Sequence, residues 1–247
     1  MLLKPPGDVH SMRTMSQKKT YTIACPKCKA AQEEELYESV NVAEEPLLKE
    51  SLLQNRINAV TCAECGFSFR VDKPLLYHDP QHSAMIYYLP LGGADYDKGE
   101  RHFREFLGEM HTLMPDGLDL PDVHLVFSWA ELVERVFLLE ADLDPRLIEY
   151  VKYIIYTKNS ERLKPEQKAI LFNAEDSTAE QFCFVIQDVA TRKLESILHY
   201  SREAYESLCE TFDQDEQTPM LLEMFPGPYV SARALLLRET AEEDEDA

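Results

Sequence analysis

The sequence has no apolar run that approaches the length of a membrane span. Its longest apolar stretches are short, and one of them, Val151 to Tyr156, is broken by Lys152. The N-terminus, Met1-Leu2-Leu3-Lys4-Pro5-Pro6, lacks the apolar stretch of an export signal. The expected compartment is therefore the reducing cytoplasm, where paired cysteines bind metal more often than they form disulfides. Familiar catalytic signatures are missing as well. There is no G-x-S-x-G and no H-E-x-x-H. Leu91-Gly92-Gly93-Ala94 has neither the lysine and hydroxyl of a phosphate loop nor the third glycine of a dinucleotide fingerprint, and reads as a hinge.

Basic residues are scarce. Lysine and arginine total 25 against 45 acids, a net charge of −20. Such a polyanion is repelled by nucleic acid unless its cations are segregated on one face. One stretch qualifies: Ser16 to Gln32 holds Lys18, Lys19, Lys27 and Lys29 and no acid. Lys27 and Lys29 there offset the negative charge of clustered thiolates; the alternative is a nucleic-acid contact through this patch. A protein partner is expected, and neither nucleic acid nor membrane is.

What the chain does have is two C-x-x-C pairs, Cys25-Pro-Lys-Cys28 and Cys62-Ala-Glu-Cys65. Thiolates three residues apart grip one ion from a single tight turn, and a second pair completes a tetrahedron. Cys25, Cys28, Cys62 and Cys65 are thus the expected ligands of one structural zinc ion per chain, with no open position for catalysis. Gly66, directly after the second pair, suits a positive φ; Lys29 in the equivalent place makes the first knuckle strained or differently turned. The other two cysteines, Cys183 and Cys209, read as small buried hydrophobes.

Alternation at Thr20–Ala24 predicts a strand that delivers Cys25, and a second extended stretch covers Leu36–Val42. A helix follows Pro46, and further strands are expected at 67–71, 75–77, 84–89 and 123–127. Helices are expected at 101–114 and 129–139, the latter opened by a Ser128/Glu131 capping box, and from Pro145 to Tyr156. Lys168–Asn173 and Gln181–Asp188 read as an antiparallel pair, with helices at 202–212 and 229–239. Leu147, Ile148, Val151, Ile154 and Ile155 form an apolar helix face suited to a core.

Tyr77-His78-Asp79 is the most tempting catalytic trio. Neighbours on a strand face opposite sides, so His78 and Asp79 cannot form a dyad unless the chain turns, as Asp79-Pro80 suggests it does; the expected role of the trio is local and structural, with ligand binding and catalysis as the alternatives.

Several of these segments together resemble the bacterial CpXC domain. They are Cys25-Pro-Lys-Cys28, Val40-Asn41-Val42, Glu45-Pro46 with Leu47–Leu53, Cys62-Ala-Glu-Cys65-Gly66 and Leu75-Leu76-Tyr77-His78-Asp79. They occur in order from Tyr21 to Pro90. Leu132–Val136 and Ala141–Pro145 with Ile148-Glu149 extend the likeness. Lys29 stands where that family commonly has glycine, and Ala63 where it commonly has proline. The resemblance implies a zinc-ribbon-like site at the four cysteines and implies no activity.

The expected architecture is α+β. A disordered lead-in (1–19) precedes a zinc-ribbon-like domain with a helical insertion (20–92), a mixed α/β region (93–238) and an acidic tail (239–247). The expected role is a zinc-binding interaction or regulatory module. The competing reading is an enzyme with a cryptic site near His78 and Asp79.

Overall fold

The computed structural model describes residues 16–91, 96–113, 122–212 and 218–245. The hinge expected at Gly92–Gly93 and most of the expected lead-in therefore lie outside the described residues. Gln17, Lys18 and Lys19 belong to the first strand. The chain divides into two compact units, residues 1–133 and 134–247. Helices and mixed sheets make it α+β, as the sequence reading has it.

The first unit is organised by a five-stranded mixed sheet. β1 (Gln17–Ala24) pairs antiparallel with β2 (Ala31–Asn41), and β2 runs parallel to β5 (Leu75–Asp79). β5 pairs antiparallel with β6 (Ala84–Tyr88), and β6 runs parallel to β7 (Asp122–Val126). The short helix α1 (Leu47–Leu53) and a separate hairpin, β3 (Ala59–Thr61) with β4 (Ser68–Arg70), are inserted between β2 and β5. All five β6 residues are buried, which is why Ala-Met-Ile-Tyr-Tyr reads as a continuous apolar run rather than an alternation.

Helix α2 (Tyr96–Leu113) connects β6 to β7 and stacks Phe103 and Phe106 on Tyr87, with centroids 5.4 and 4.8 Å apart. It begins five residues earlier than the sequence suggests. The Ser128 capping box forms as expected at the start of α3 (Trp129–Glu140). The Glu131 N–H donates to Ser128 Oγ at 3.2 Å, and Glu131 Oε2 accepts the N–H groups of Phe127 and Ser128.

The second unit has a three-stranded antiparallel sheet, β8 (Lys168–Asn173), β9 (Gln181–Asp188) and β10 (Leu194–Ser201), in the order β10-β9-β8. β8 and β9 fall at the expected positions. β10 has no counterpart in the sequence reading: it is an edge strand with mostly exposed side chains, so it carries no alternating pattern. Around the sheet lie α4 (Pro145–Lys158), α5 (Arg202–Phe212), α6 (Thr218–Met224) and α7 (Ala232–Glu245). Asp144 caps α4 by accepting the N–H of Arg146 at 2.7 Å.

Leu147, Ile148, Val151 and Ile155 enter the core with Ile170, Phe172, Phe182, Phe184 and Ile186, while Ile154 is only half-buried. Cys183 is buried and Cys209 is half-buried, so the expectation of burial holds for the first alone. Helix α7 continues into the acidic run, through Glu245.

Lys152, which interrupts the apolar run in the sequence, is itself buried. Its ammonium lies 2.6 Å from Glu134 Oε1 and 2.6 Å from Glu149 Oε1. Glu134 also accepts the Phe172 N–H, and Glu149 Oε2 accepts the Ala232 N–H at 2.8 Å. Burial alone would discharge the lysine, but the two carboxylates outweigh it and hold its pKa above the ordinary value. The network ties α3, α4, β8 and the first residue of α7 together inside this unit.

Candidate metal centre

Each C-x-x-C pair sits in a turn between two strands. The first joins β1 to β2 and the second joins β3 to β4. The two turns share one hydrogen-bond scheme. Cys25 donates its N–H to the Ala30 carbonyl and accepts the Lys29 N–H on its own, both at 2.9 Å. Cys62 does the same with Phe67 and Gly66, again at 2.9 Å. Lys29 has φ 64° and Gly66 has φ 65°. The first knuckle is therefore not differently turned: Lys29 adopts the left-handed conformation that Gly66 adopts without a side chain.

The fold brings all four sulfurs together, within 4.8 Å of one another. Cys25 Sγ lies 3.7 Å from Cys65 Sγ, and Cys28 Sγ lies 3.6 Å from Cys62 Sγ. A disulfide needs about 2.0 Å. Sulfurs at about 2.3 Å from a tetrahedral zinc lie about 3.8 Å from each other. The donor set and the spacing therefore fit a four-coordinate thiolate site. The first cysteine of each knuckle is buried, Cys28 is exposed and Cys65 is half-exposed.

The electrostatics point the same way. Burial would raise the Cys25 thiol, but the backbone N–H groups of Cys28 and Lys27 outweigh it and hold it down at about 6. At Cys28 the Ala30 N–H favours the thiolate, yet burial and the neighbouring Cys65, Cys62 and Cys25 push it up to about 12. Sulfurs this close resist joint ionisation, and a bound divalent cation removes that resistance.

The lysines of the basic stretch lie on aromatic rings and carbonyls. Lys27 sits over the Phe67 ring at 5.7 Å and Lys18 over Tyr37 at 4.6 Å, while Lys29 Nζ donates to the Pro26 carbonyl at 3.1 Å.

Three residues that the sequence reading did not single out hold the β3–β4 hairpin in place. Gln32 on β2 donates Nε2–H to the Thr61 carbonyl at 3.2 Å and accepts the Ala63 N–H at 3.1 Å. Asn58 accepts the Tyr37 N–H at 2.7 Å and returns Nδ2–H to the Tyr37 carbonyl at 3.1 Å, as a neighbouring strand would. Arg70 on β4 lays its guanidinium over Trp129 at 4.2 Å and pairs with Asp72 at 3.0 Å. Apart from the Arg70–Asp72 pair, these partners lie 21 to 59 residues apart, so no local pattern announces them.

His78 and Asp79 do not form a dyad. His78 leaves its buried Nδ1 without a hydrogen-bond partner, and burial lowers its pKa. Asp79 instead takes His82 Nδ1 at 2.9 Å and the Gln81 N–H at 3.1 Å across the turn at Pro80, with Lys49 Nζ 3.9 Å away. Burial would raise this carboxyl, but His82 and Lys49 outweigh it and hold it below the usual range. Asp79 is thus the side-chain cap of a short 3-10 turn, Pro80–His82.

Among the described residues no helix is long and apolar enough to cross a membrane. Residues 23–152 match the family model described as CpXC protein. No curated protein and no solved structure matches. The family match takes in both knuckles and covers just over half of the chain, and the protein therefore belongs to the CpXC family.

Proposed function

We propose that Cys25, Cys28, Cys62 and Cys65 hold one zinc ion in a closed structural site, and that the protein serves as an interaction or regulatory module in the cytoplasm. The observation that carries the metal reading is the sulfur spacing of 3.6 and 3.7 Å, close to the edge of a zinc tetrathiolate and far from a disulfide. Two pairs of thiols that remain free suit a reducing compartment. When bound, the ion supplies cross-linking free energy rather than reactivity, on the order of 10–16 kcal/mol for sites of this type. The four sulfurs fill its coordination, so no position is left for a substrate.

The chain's own residues do the rest. Backbone N–H groups orient Cys25 and Cys28, the left-handed residues close each turn, and the buried Cys25 and Cys62 keep water from one side of the cluster. A site of this kind fixes a scaffold, and a protein partner then reads the surfaces that the scaffold presents.

Elemental analysis of the purified full chain should give one zinc per molecule, reduced to background by Cys62→Ser/Cys65→Ser. Zinc-free protein that is fully folded would overturn the reading. Affinity capture with that double variant as control tests the partner: an interaction indifferent to the variant would separate binding from the metal.

A further inference from the structure

We propose that Gln32 is the positioning residue that sets the separation of the two knuckles, and with it the affinity of the centre for a divalent cation. The inference rests on the metal reading above. The knuckles share one backbone scheme but differ at their second residue. Pro26 in the first has no N–H, whereas Ala63 in the second has one, and it donates to Gln32 Oε1 at 3.1 Å. Gln32 Nε2 donates to the Thr61 carbonyl at 3.2 Å. These two contacts bracket Cys62, one residue on each side. Glu34 Oε1 takes another N–H from Gln32 Nε2 at 2.8 Å, which fixes the end of the amide that carries nitrogen.

Gln32 lies opposite Ile23 in the β1–β2 ladder, two residues before Cys25. Its side chain therefore joins the strand pair that delivers the first knuckle to the backbone that carries the second. Among the described residues no ladder makes this connection, because β3 and β4 pair there only with each other. Asn58 and Arg70 anchor the end of the hairpin away from the cysteines. Gln32 anchors the knuckle end and touches no sulfur. A side chain that holds a ligand from both flanks acts on affinity through position, and losing such a partner costs about 10–100-fold in metal binding.

The test uses the full chain, with Zn2+ affinity read by competition with a chromogenic chelator and Co2+ as a spectroscopic probe. Gln32→Met keeps the length of the side chain and removes its hydrogen bonds to Thr61, Ala63 and Glu34. It should weaken zinc by about 10-fold or more and shift the thiolate-to-cobalt bands, while the loaded protein keeps its circular dichroism. In an Ala63→Pro background, where the N–H is already gone, Gln32→Met should cost much less. Ala63→Pro alone removes one of the two hairpin contacts and leaves Gln32 in place, so it should fall between wild type and Gln32→Met; it carries the test if Gln32→Met does not fold. Wild-type affinity and an unchanged cobalt spectrum in these variants would overturn the role of Gln32. Failure of the wild-type chain to bind either metal would instead overturn the metal reading itself.

Discussion

Lys29 and Gly66 occupy the same backbone conformation, φ 64° and 65°, and each donates its N–H to the carbonyl of the first cysteine of its knuckle at 2.9 Å. One turn is thus built twice, once with a glycine and once with a lysine. A β-carbon at position 66 would meet nothing within 4 Å, so the left-handed φ is the only obstacle to a side chain there.

Lys29→Gly should therefore stabilise the metal-loaded protein by about 1 kcal/mol, and Gly66→Ala should destabilise it by a similar amount. Urea midpoints of the two zinc-loaded variants check both signs. A loss of stability in Lys29→Gly would mean that the Lys29 contact with the Pro26 carbonyl outweighs the backbone strain.

Metal removal should be visible at the only tryptophan. Trp129 lies under Arg70 at 4.2 Å, and Arg70 belongs to the hairpin that carries Cys62 and Cys65. A chelator that frees the hairpin should change Trp129 emission, and Arg70→Ala should reproduce much of the change with metal still bound. Emission that does not respond to the chelator would show that the hairpin stays docked without the ion.

Acid should weaken the first unit in two steps. Burial lowers the pKa of His78 from its ordinary 6.5, and Asp79 is held below its ordinary 3.8 by His82 and Lys49 despite burial. Both depressed values mean that the unfolded chain binds the proton first. The contribution of His78 is complete above pH 6.5 and is lost as the pH falls below it; that of Asp79 is complete above pH 3.8 and is lost below. Urea midpoints measured against pH should decline over these ranges, with His78→Gln flattening the upper one and Asp79→Asn the lower. Profiles unchanged by the substitutions would assign the acid sensitivity to other groups.

The second unit should depend on its buried charge network. Lys152→Met leaves the Glu134 and Glu149 carboxylates buried without their cation and should cost about 3–5 kcal/mol. Adding Glu134→Gln and Glu149→Gln keeps acceptors for the Phe172 and Ala232 N–H groups and should recover much of that loss. Thermal unfolding of the single and triple variants tests the order; a triple variant as unstable as the single one would put the cost in packing rather than charge.

Much of this was legible in the chain, and the reasons are local. Ser128 with Glu131 and Asp144 with Pro145 announce their helices because a cap acts within one turn. β8 and β9 announce themselves by composition, since their inward side chains fill the core. β10 does not, because an edge strand with little burial leaves no pattern. Lys152 was misleading for the opposite reason: a charge in an apolar run looks like an interruption until its two carboxylates arrive from α3 and from its own helix.

The sequence alone determined the four-cysteine cluster as a candidate ligand set, because C-x-x-C is a property of four consecutive residues and two such pairs supply four sulfurs that could hold one metal ion. It also determined the family, through motifs spread along half of the chain. Only the tertiary structure decided how the two knuckles meet. Gln32, Asn58 and Arg70 act on partners far away in sequence, and a hydrogen bond or stacked ring between such residues leaves no trace until folding brings them together. It likewise decided that Lys29 shares the turn of Gly66, since a backbone angle held by surrounding hydrogen bonds overrides the preference of a single side chain.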